Sequence, residues 1–266
     1  MTESAQSHTF AAMEWYMYLA VIGAGFAAGF INTLAGSGSL ITLPLLIFLG
    51  LPANIANGTN RVAILLQNIV GVRTFHNSHL LNIKHSFKLA IPAVIGAIIG
   101  AQIASDLNER IMHHTIGVIM VCMLIILLVR PKRWFKAKAI DDITKTSFVQ
   151  MLIFFGIGIY GGFIQAGVGI ILLAGLMLSV GFDELHANPV KVLIVLCFTF
   201  FAVIIFALND QIVWTVGLIM AIGNMLGAWV AVKFAIKKGN KFIRWILIII
   251  VAVSAAKLLG IIDLFI

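Results

Sequence analysis

The chain has 266 residues, 61% of them hydrophobic and 11% charged, with a mean hydropathy of +1.09 and a net charge of +8. A soluble domain carries roughly a quarter charged residues, so the composition excludes an ordinary soluble fold and points to a polytopic membrane protein. The positive charge is not a nucleic-acid surface. Six Lys/Arg fall within 130–145 and five within 233–244, short loops between apolar runs, which is the cytoplasmic signature of membrane proteins.

Residues 1–15 read as a short polar leader; without Lys or Arg, they do not look like a signal peptide. Apolar segments follow at 16–34, 38–50, 57–75, 86–105 and 111–130, and then at 148–166, 168–181, 188–208, 211–233 and 243–265. Most approach the roughly 20 residues that cross a bilayer core. Segments 38–50 and 168–181 do not: as helices they would reach about 20 Å of a core about 30 Å thick. Whether each crosses fully or turns back is left open by the sequence. Cys122 and Cys197 lie alone in apolar segments and read as small buried hydrophobes.

The two short segments hold the same place in each half of the chain. Gly36-Ser37-Gly38 aligns with Gly167-Val168-Gly169 at an offset of 131, and Ala56-Asn57-Gly58 with Ala187-Asn188-Pro189 at the same offset. Gly96–Ala101 matches Gly223–Ala228 at 127, and Asn108–Ile111 echoes Asn240–Ile243. The expected fold is therefore all-α, with a transmembrane repeat at 16–130, a basic cytoplasmic linker at 131–147 and a second repeat at 148–266. Five hydrophobic segments per repeat, and the placement of Lys/Arg-rich loops on the cytoplasmic side, make the repeats inverted, with both termini extracytoplasmic. Inverted repeats whose helices break at matching positions are a mark of secondary transporters. The chain has no phosphate-binding loop of the GxxxxGK[ST] type, so it carries no ATPase of its own.

The breaks are the candidate site. A helix interrupted inside a membrane leaves free N–H groups at its new start, costly in lipid and suited to an anion. Glycine permits the turn and the close approach of a ligand. The first break reads Gly36-Ser37-Gly38-Ser39; the second has Gly167 and Gly169, with Gln165 just before. The competing reading is close helix packing. That reading fits the pairs Gly25/Gly29, Gly96/Gly100, Gly158/Gly162 and Gly223/Gly227, which are spaced for helix contact.

Outside the loops only Arg61, Lys191 and Lys257 remain as Lys/Arg. Lys257 is expected to snorkel to the membrane surface. Arg61 and Lys191 occupy equivalent places, allowing one gap. Each follows a helix-start signal, Asn57 to Asn60 (with Thr59 between) in one half and Asn188-Pro189, read as N-cap and N1, in the other. A cation in a first helical turn opposes the macrodipole, which a bound anion would relieve; extension to the headgroups is the alternative. Gln67 and Asn68 line a path or bond between helices. His76 and His79 fall in a cytoplasmic loop, where a solvated role is expected rather than a proton relay; His113 and His114 begin a segment and read as interfacial. No Asp or Glu lies deep in a segment, which argues against a cation transporter and a metal site and for an anionic substrate.

The run FINTLAGSGSLITLPLLIFLGLPANIANGTNR, with its second-half partner YGGFIQAGVGIILLAGLMLSVGFDELHANPVKVL, resembles the two signatures of the sulfite exporter TauE/SafE family. The similarity covers about 16–265. The chain departs from the pattern in having GSGS where the family has GxGGG, and ANPVK without the Gly-Thr pair. The resemblance implies a bacterial inner-membrane permease for sulfite, sulfoacetate, thiosulfate or related anions. It also implies a site where the Gly-rich breaks meet the two helix starts: Gly36–Ser39 with Asn57–Arg61, and Gly167–Gly169 with Asn188–Lys191. The expected function is a secondary transporter, an exporter of a small anion such as sulfite or an organosulfonate, with proton coupling compatible and no carrier residue assigned. The alternative is a channel or facilitator for another small anion or a neutral solute. No enzyme activity, cofactor or metal is expected; the expected partners are the anion and the lipid bilayer, with a homodimer among the open assemblies.

Overall fold

The computed structural model describes residues 15–81, 83–129, 147–235, 251, 252 and 254–258. The described residues are helical with short links and no strand. The first half contributes α1 (Trp15–Ala35), α2 (Ser39–Phe48), α3 (Ala53–Asn77), α4 (Ile83–Asp106) and α5 (Glu109–Val129). The second contributes α6 (Phe148–Phe163), α7 (Val168–Gly175), which continues as a π-turn over Leu176–Val180, α8 (Glu184–Leu208) and α9 (Trp214–Ala235). The leader, the linker and most of the segment expected at 243–265 lie outside the described residues.

These bounds follow the apolar segments closely, because each apolar run must close its backbone hydrogen bonds within itself to sit in lipid. α1, α4, α5, α8 and α9 are long and apolar enough to cross a membrane, whereas α2, α6 and α7 are shorter apolar helices. α3 is different. It has 25 residues but carries Asn54, Asn57, Thr59, Asn60, Arg61, Gln67 and Asn68 along its length, and most of those side chains are buried. A polar helix of this kind is tolerable only where protein, not lipid, surrounds it. Apolar side chains are left exposed on the long apolar helices, among them Ile91, Ile95 and Ile103 on α4, Val118 and Ile125 on α5, and Leu218, Ile222 and Leu226 on α9.

The halves interleave. α1 packs chiefly on α9, and α4 on α6; α3 in turn lies against α9 and α8 against α4. The seams are made by the glycines spaced for contact. A Cβ on Gly25 or Gly29 would lie within 2.6 Å of the α9 backbone, and one on Gly223 or Gly227 within 2.1 Å of Ile22 and Phe26 carbonyl oxygens. Gly96 and Gly100 meet the carbonyls of Phe155 and Ile159, while Gly158 and Gly162 meet those of Ala93 and Ala97. Such small-residue seams let helix backbones touch.

Left-handed backbone occurs at six described positions, and they fall into pairs 131 residues apart: Gly36 and Gly167 (φ 73° and 73°), Gly50 and Gly181 (92° and 91°), His79 and Asp210 (57° and 54°). The last pair has a side chain where glycine is the usual occupant.

Two expectations are corrected. Cys122 is exposed on α5 and Cys197 is half-buried, so neither is a fully buried hydrophobe. The helix starts also lie earlier than Asn57–Asn60 and Asn188. α3 begins after Pro52, and α8 begins after Asp183, whose carboxylate accepts the His186 N–H at 2.8 Å. Pro189 therefore sits inside α8 rather than at its first position. Arg61 and Lys191 lie about two turns into their helices, not in the first turn, and the proposed conflict with the dipole of their own helices does not exist.

Candidate functional site

The chain turns out of α1 at Gly36 and out of α6 at Gly167, both in the left-handed region that costs a side chain strain. The two turns meet. A Cβ on Gly36 would stand 2.4 Å from the Cα of Gly169, and one on Gly169 would stand 2.3 Å from the Cα of Gly36. Gly38 lies as close to α1, its added Cβ falling 2.2 Å from the Ala28 carbonyl oxygen. The break glycines thus serve both readings: Gly36 and Gly167 permit the turn, Gly38 and Gly169 the contact.

Each buried cation reaches across to the other half. Arg61 is fully buried; its Nη1 donates to Gly161 O (3.0 Å) and its Nη2 to Gly162 O (2.6 Å) and Phe163 O (3.2 Å). Those carbonyls are the last of α6, which has no further helix to bond them. Its guanidinium also sits 4.7 Å from the centre of the Phe206 ring. Lys191, 2% exposed, donates from Nζ to Asn32 O (3.1 Å) and Thr33 O (3.0 Å), in the last turn of α1, and to Asn188 Oδ1 (2.7 Å). A cation at a helix C-terminus is the favourable arrangement of the dipole. Neither side chain extends to headgroups.

The asparagines repeat the pattern. Asn57 Nδ2 donates to Phe163 O at 2.9 Å, and Asn188 Nδ2 to Leu34 O at 3.3 Å. Asn60 Oδ1 accepts from Thr42 Oγ1 at 2.6 Å, joining α3 to α2. Gln165 Nε2 donates to Thr199 Oγ1 at 2.8 Å. Thr59 is engaged elsewhere: its Oγ1 accepts the Val213 N–H at 2.9 Å and so anchors the link between α8 and α9. Ser39 is buried as the first residue of α2. Of the predicted residues, the structure brings Gly36–Ser39, Asn57, Asn60, Arg61, Gln165, Gly167, Gly169, Asn188 and Lys191 to the ends of the broken helices; Thr59 stands apart at the α8–α9 link.

Four buried polar atoms in this set have no hydrogen-bond partner: Ser37 Oγ, Asn57 Oδ1, Arg61 Nε and Gln165 Oε1. Burying such groups unmet costs about 1–3 kcal/mol each, so each calls for a partner from outside the protein, water or a ligand.

Sequence reasoning passed over Asn32. Its Oδ1 accepts the Gly38 N–H (3.3 Å), its Nδ2 donates to Gln67 Oε1 (3.2 Å), and its carbonyl accepts both Gly36 N–H (2.8 Å) and Lys191. The signal was a lone amide in the last turn of an apolar segment. Gln67 bonds between helices, whereas Asn68 turns back on Ile64 O of its own helix.

The family model for the sulfite exporter TauE/SafE family matches residues 21–258. The chain belongs to that family. It is 27% identical over 242 residues to a "Probable membrane transporter protein ORF9" from Sinorhizobium, a match covering 89% of this chain and 90% of that one. It is 26% identical to a "Probable membrane transporter protein" of Haemophilus influenzae (88% and 91% covered) and 25% identical to the "Probable membrane transporter protein YfcA" of Escherichia coli (87% and 86%). No solved structure matches it significantly. With its long apolar helices, the chain is a multi-pass membrane protein of a family of probable transporters.

Proposed function

We propose that the protein is a secondary transporter that exports a small oxyanion, sulfite or an organosulfonate, across the bacterial inner membrane. The observation that carries this reading is the sign of the interior. Among the described residues Arg61 and Lys191 are buried, and no Asp or Glu is. A helix C-terminus offers each cation about half a negative charge, so both pairs keep a positive excess in a medium that solvates charge poorly. An anion is the species such an interior attracts. The family supplies the choice of sulfite.

The repeat supports transport over static binding. Matched backbone turns at one offset, and the exchange of helices between halves, fit two inverted repeats that rock about the contact of Gly36 with Gly169. The basic stretches 130–145 and 233–244 fit a cytoplasmic side, with both termini outside. Purified protein in proteoliposomes should carry sulfite down its gradient and should melt at higher temperature as sulfite is added, since a ligand bound only to the folded state stabilises it. Movement of a cation or a neutral solute that sulfite neither inhibits nor accompanies would overturn the proposal.

A further inference from the structure

The first break is already occupied from within. Gly38 caps α2, a helix of 10 residues, and its N–H, the donor an anion would seek, is taken by the carboxamide oxygen of Asn32. Gln67 holds the other end of that carboxamide. Lys191 donates to the carbonyl of the same residue. So one oxygen-bearing side chain lies at a helix start with a buried cation bound to its own backbone, the surroundings an oxyanion would want. Both side-chain bonds, 3.3 and 3.2 Å, are longer than the usual value of about 2.9–3.0 Å; they are bonds that can be exchanged. Beside the cap, the fully buried Ser37 hydroxyl has no partner. The second break has nothing equivalent, because the residue 131 positions after Asn32 is Phe163, which has no side-chain acceptor.

We infer that Asn32 is an internal stand-in for the substrate: its carboxamide oxygen fills the oxyanion position at the Gly38 N–H, beside the Ser37 hydroxyl, and the substrate displaces it on binding. This rests on the anion-transport reading and names the place and the competitor. Asn32 is half-buried while Ser37, Gly38 and Ser39 are buried, so the stand-in is the more accessible member of the group. In this arrangement the Gly38 N–H is not left unmet when the site is empty, which in a membrane interior would cost more than a weak internal bond. Gln67 then sets how readily Asn32 leaves, and so how tightly the anion appears to bind.

The test is sulfite binding by the full-length protein in detergent or nanodiscs, read from the melting temperature against sodium sulfite with sodium chloride as control. Asn32→Ala removes the competitor and is expected to tighten the apparent sulfite dissociation constant about threefold to tenfold, the equivalent of one net hydrogen bond. Asn32→Asp tethers a permanent anion at the same place, next to Lys191, and is expected to weaken sulfite at least about tenfold while the protein stays folded, because a charged acceptor holds the N–H more strongly. Gln67→Leu frees the Asn32 carboxamide and should tighten binding by a smaller factor. If Asn32 is only a structural tie, Asn32→Ala and Asn32→Asp both lower the melting temperature without moving the sulfite dissociation constant, and the inference falls. The aspartate variant guards against the case in which the alanine variant fails to fold. If the parent protein responds to no concentration of sulfite, both the stand-in and the anion reading are overturned; if the parent responds and Asn32→Asp binds as well as the parent, only the stand-in is.

Discussion

The two breaks share a backbone and divide the chemistry. Both leave their first helix through a glycine at φ 73°, and both end their short segment at a left-handed glycine, Gly50 or Gly181. Beyond that they differ. The first break has its cap donor bonded by Asn32, and its α2 runs as regular helix from Ser39 to Phe48. The second has no side-chain cap at Gly167, and α7 loosens after Gly175 into a π-turn, a form common where helices serve a function. The clamps differ in the opposite sense. Arg61 grips three carbonyls of α6 and faces Phe206, whereas Lys191 grips two carbonyls of α1 and shares its charge with Asn188. The turns and the cations are thus matched in the two halves, while local side chains decide which end is fastened and which is left adjustable. A fork of five donors suits a fixed tie and a single ammonium suits one that exchanges partners.

The comparison is most severely tested at the clamps. Arg61→Leu should cost about 3–5 kcal/mol, because three carbonyls at the end of α6 lose their donor at once; Lys191→Leu should cost about 2 kcal/mol. Both should abolish sulfite flux in proteoliposomes, and thermal unfolding in detergent ranks them. Equal losses would erase the distinction between fixed and exchangeable clamp. Next comes the meeting point of the breaks. Gly36→Ala meets both a backbone clash and a left-handed φ, so it should cost about 3 kcal/mol and stop transport, whereas Gly50→Ala, with open space around its added Cβ, should cost about 1 kcal/mol and leave transport in place.

Smaller effects sharpen the picture. Gln165→Leu removes a buried unpaired carbonyl oxygen together with the bond to Thr199, and the two nearly cancel. Melting temperature should barely change, and any loss of sulfite response would then be a ligand effect. The smallest concerns the helix starts, where α8 has the Asp183 cap and α3 has Pro52. Burial alone would raise the Asp183 carboxyl, but the His186 N–H and ring hold it below its ordinary value. Its stabilising effect is therefore present above its ordinary value and lost as pH falls from there through the lowered folded value. Asp183→Ala should cost about 1 kcal/mol at neutral pH, and its gap in melting temperature from the parent should close in acid.

Much of this was legible in the sequence because lipid makes backbone satisfaction local. Apolar length fixed the helices, and Gly-xxx-Gly spacing found the seams through Gly25, Gly96, Gly158 and Gly223. The landmark residues of the breaks were visible as glycines clustered in an apolar run, open to a turn or to close packing, and both are present. What the sequence hid was direction. Asn188-Pro189 looked like a cap because that dipeptide often is one, yet Asp183 lay upstream with a stronger acceptor. Arg61 and Lys191 were visible as buried cations, but their partners are main-chain carbonyls of the other half, and a carbonyl bears no letter. Asn32 was missed for the same reason: its importance comes from the Gly38 N–H that it faces and the ammonium behind it, neither of which is written in its neighbours.

The exchange of helices between halves has a consequence for biogenesis. α1 is synthesised well before its main contact, α9, which is made some two hundred residues later. Its glycine face must wait in the membrane without its partner, as must that of α4 until α6 arrives. Assembly is therefore non-local and late, the regime in which chains fold slowly and expose themselves to quality control. The halves expressed as separate chains should each be short-lived, and should accumulate only when made together.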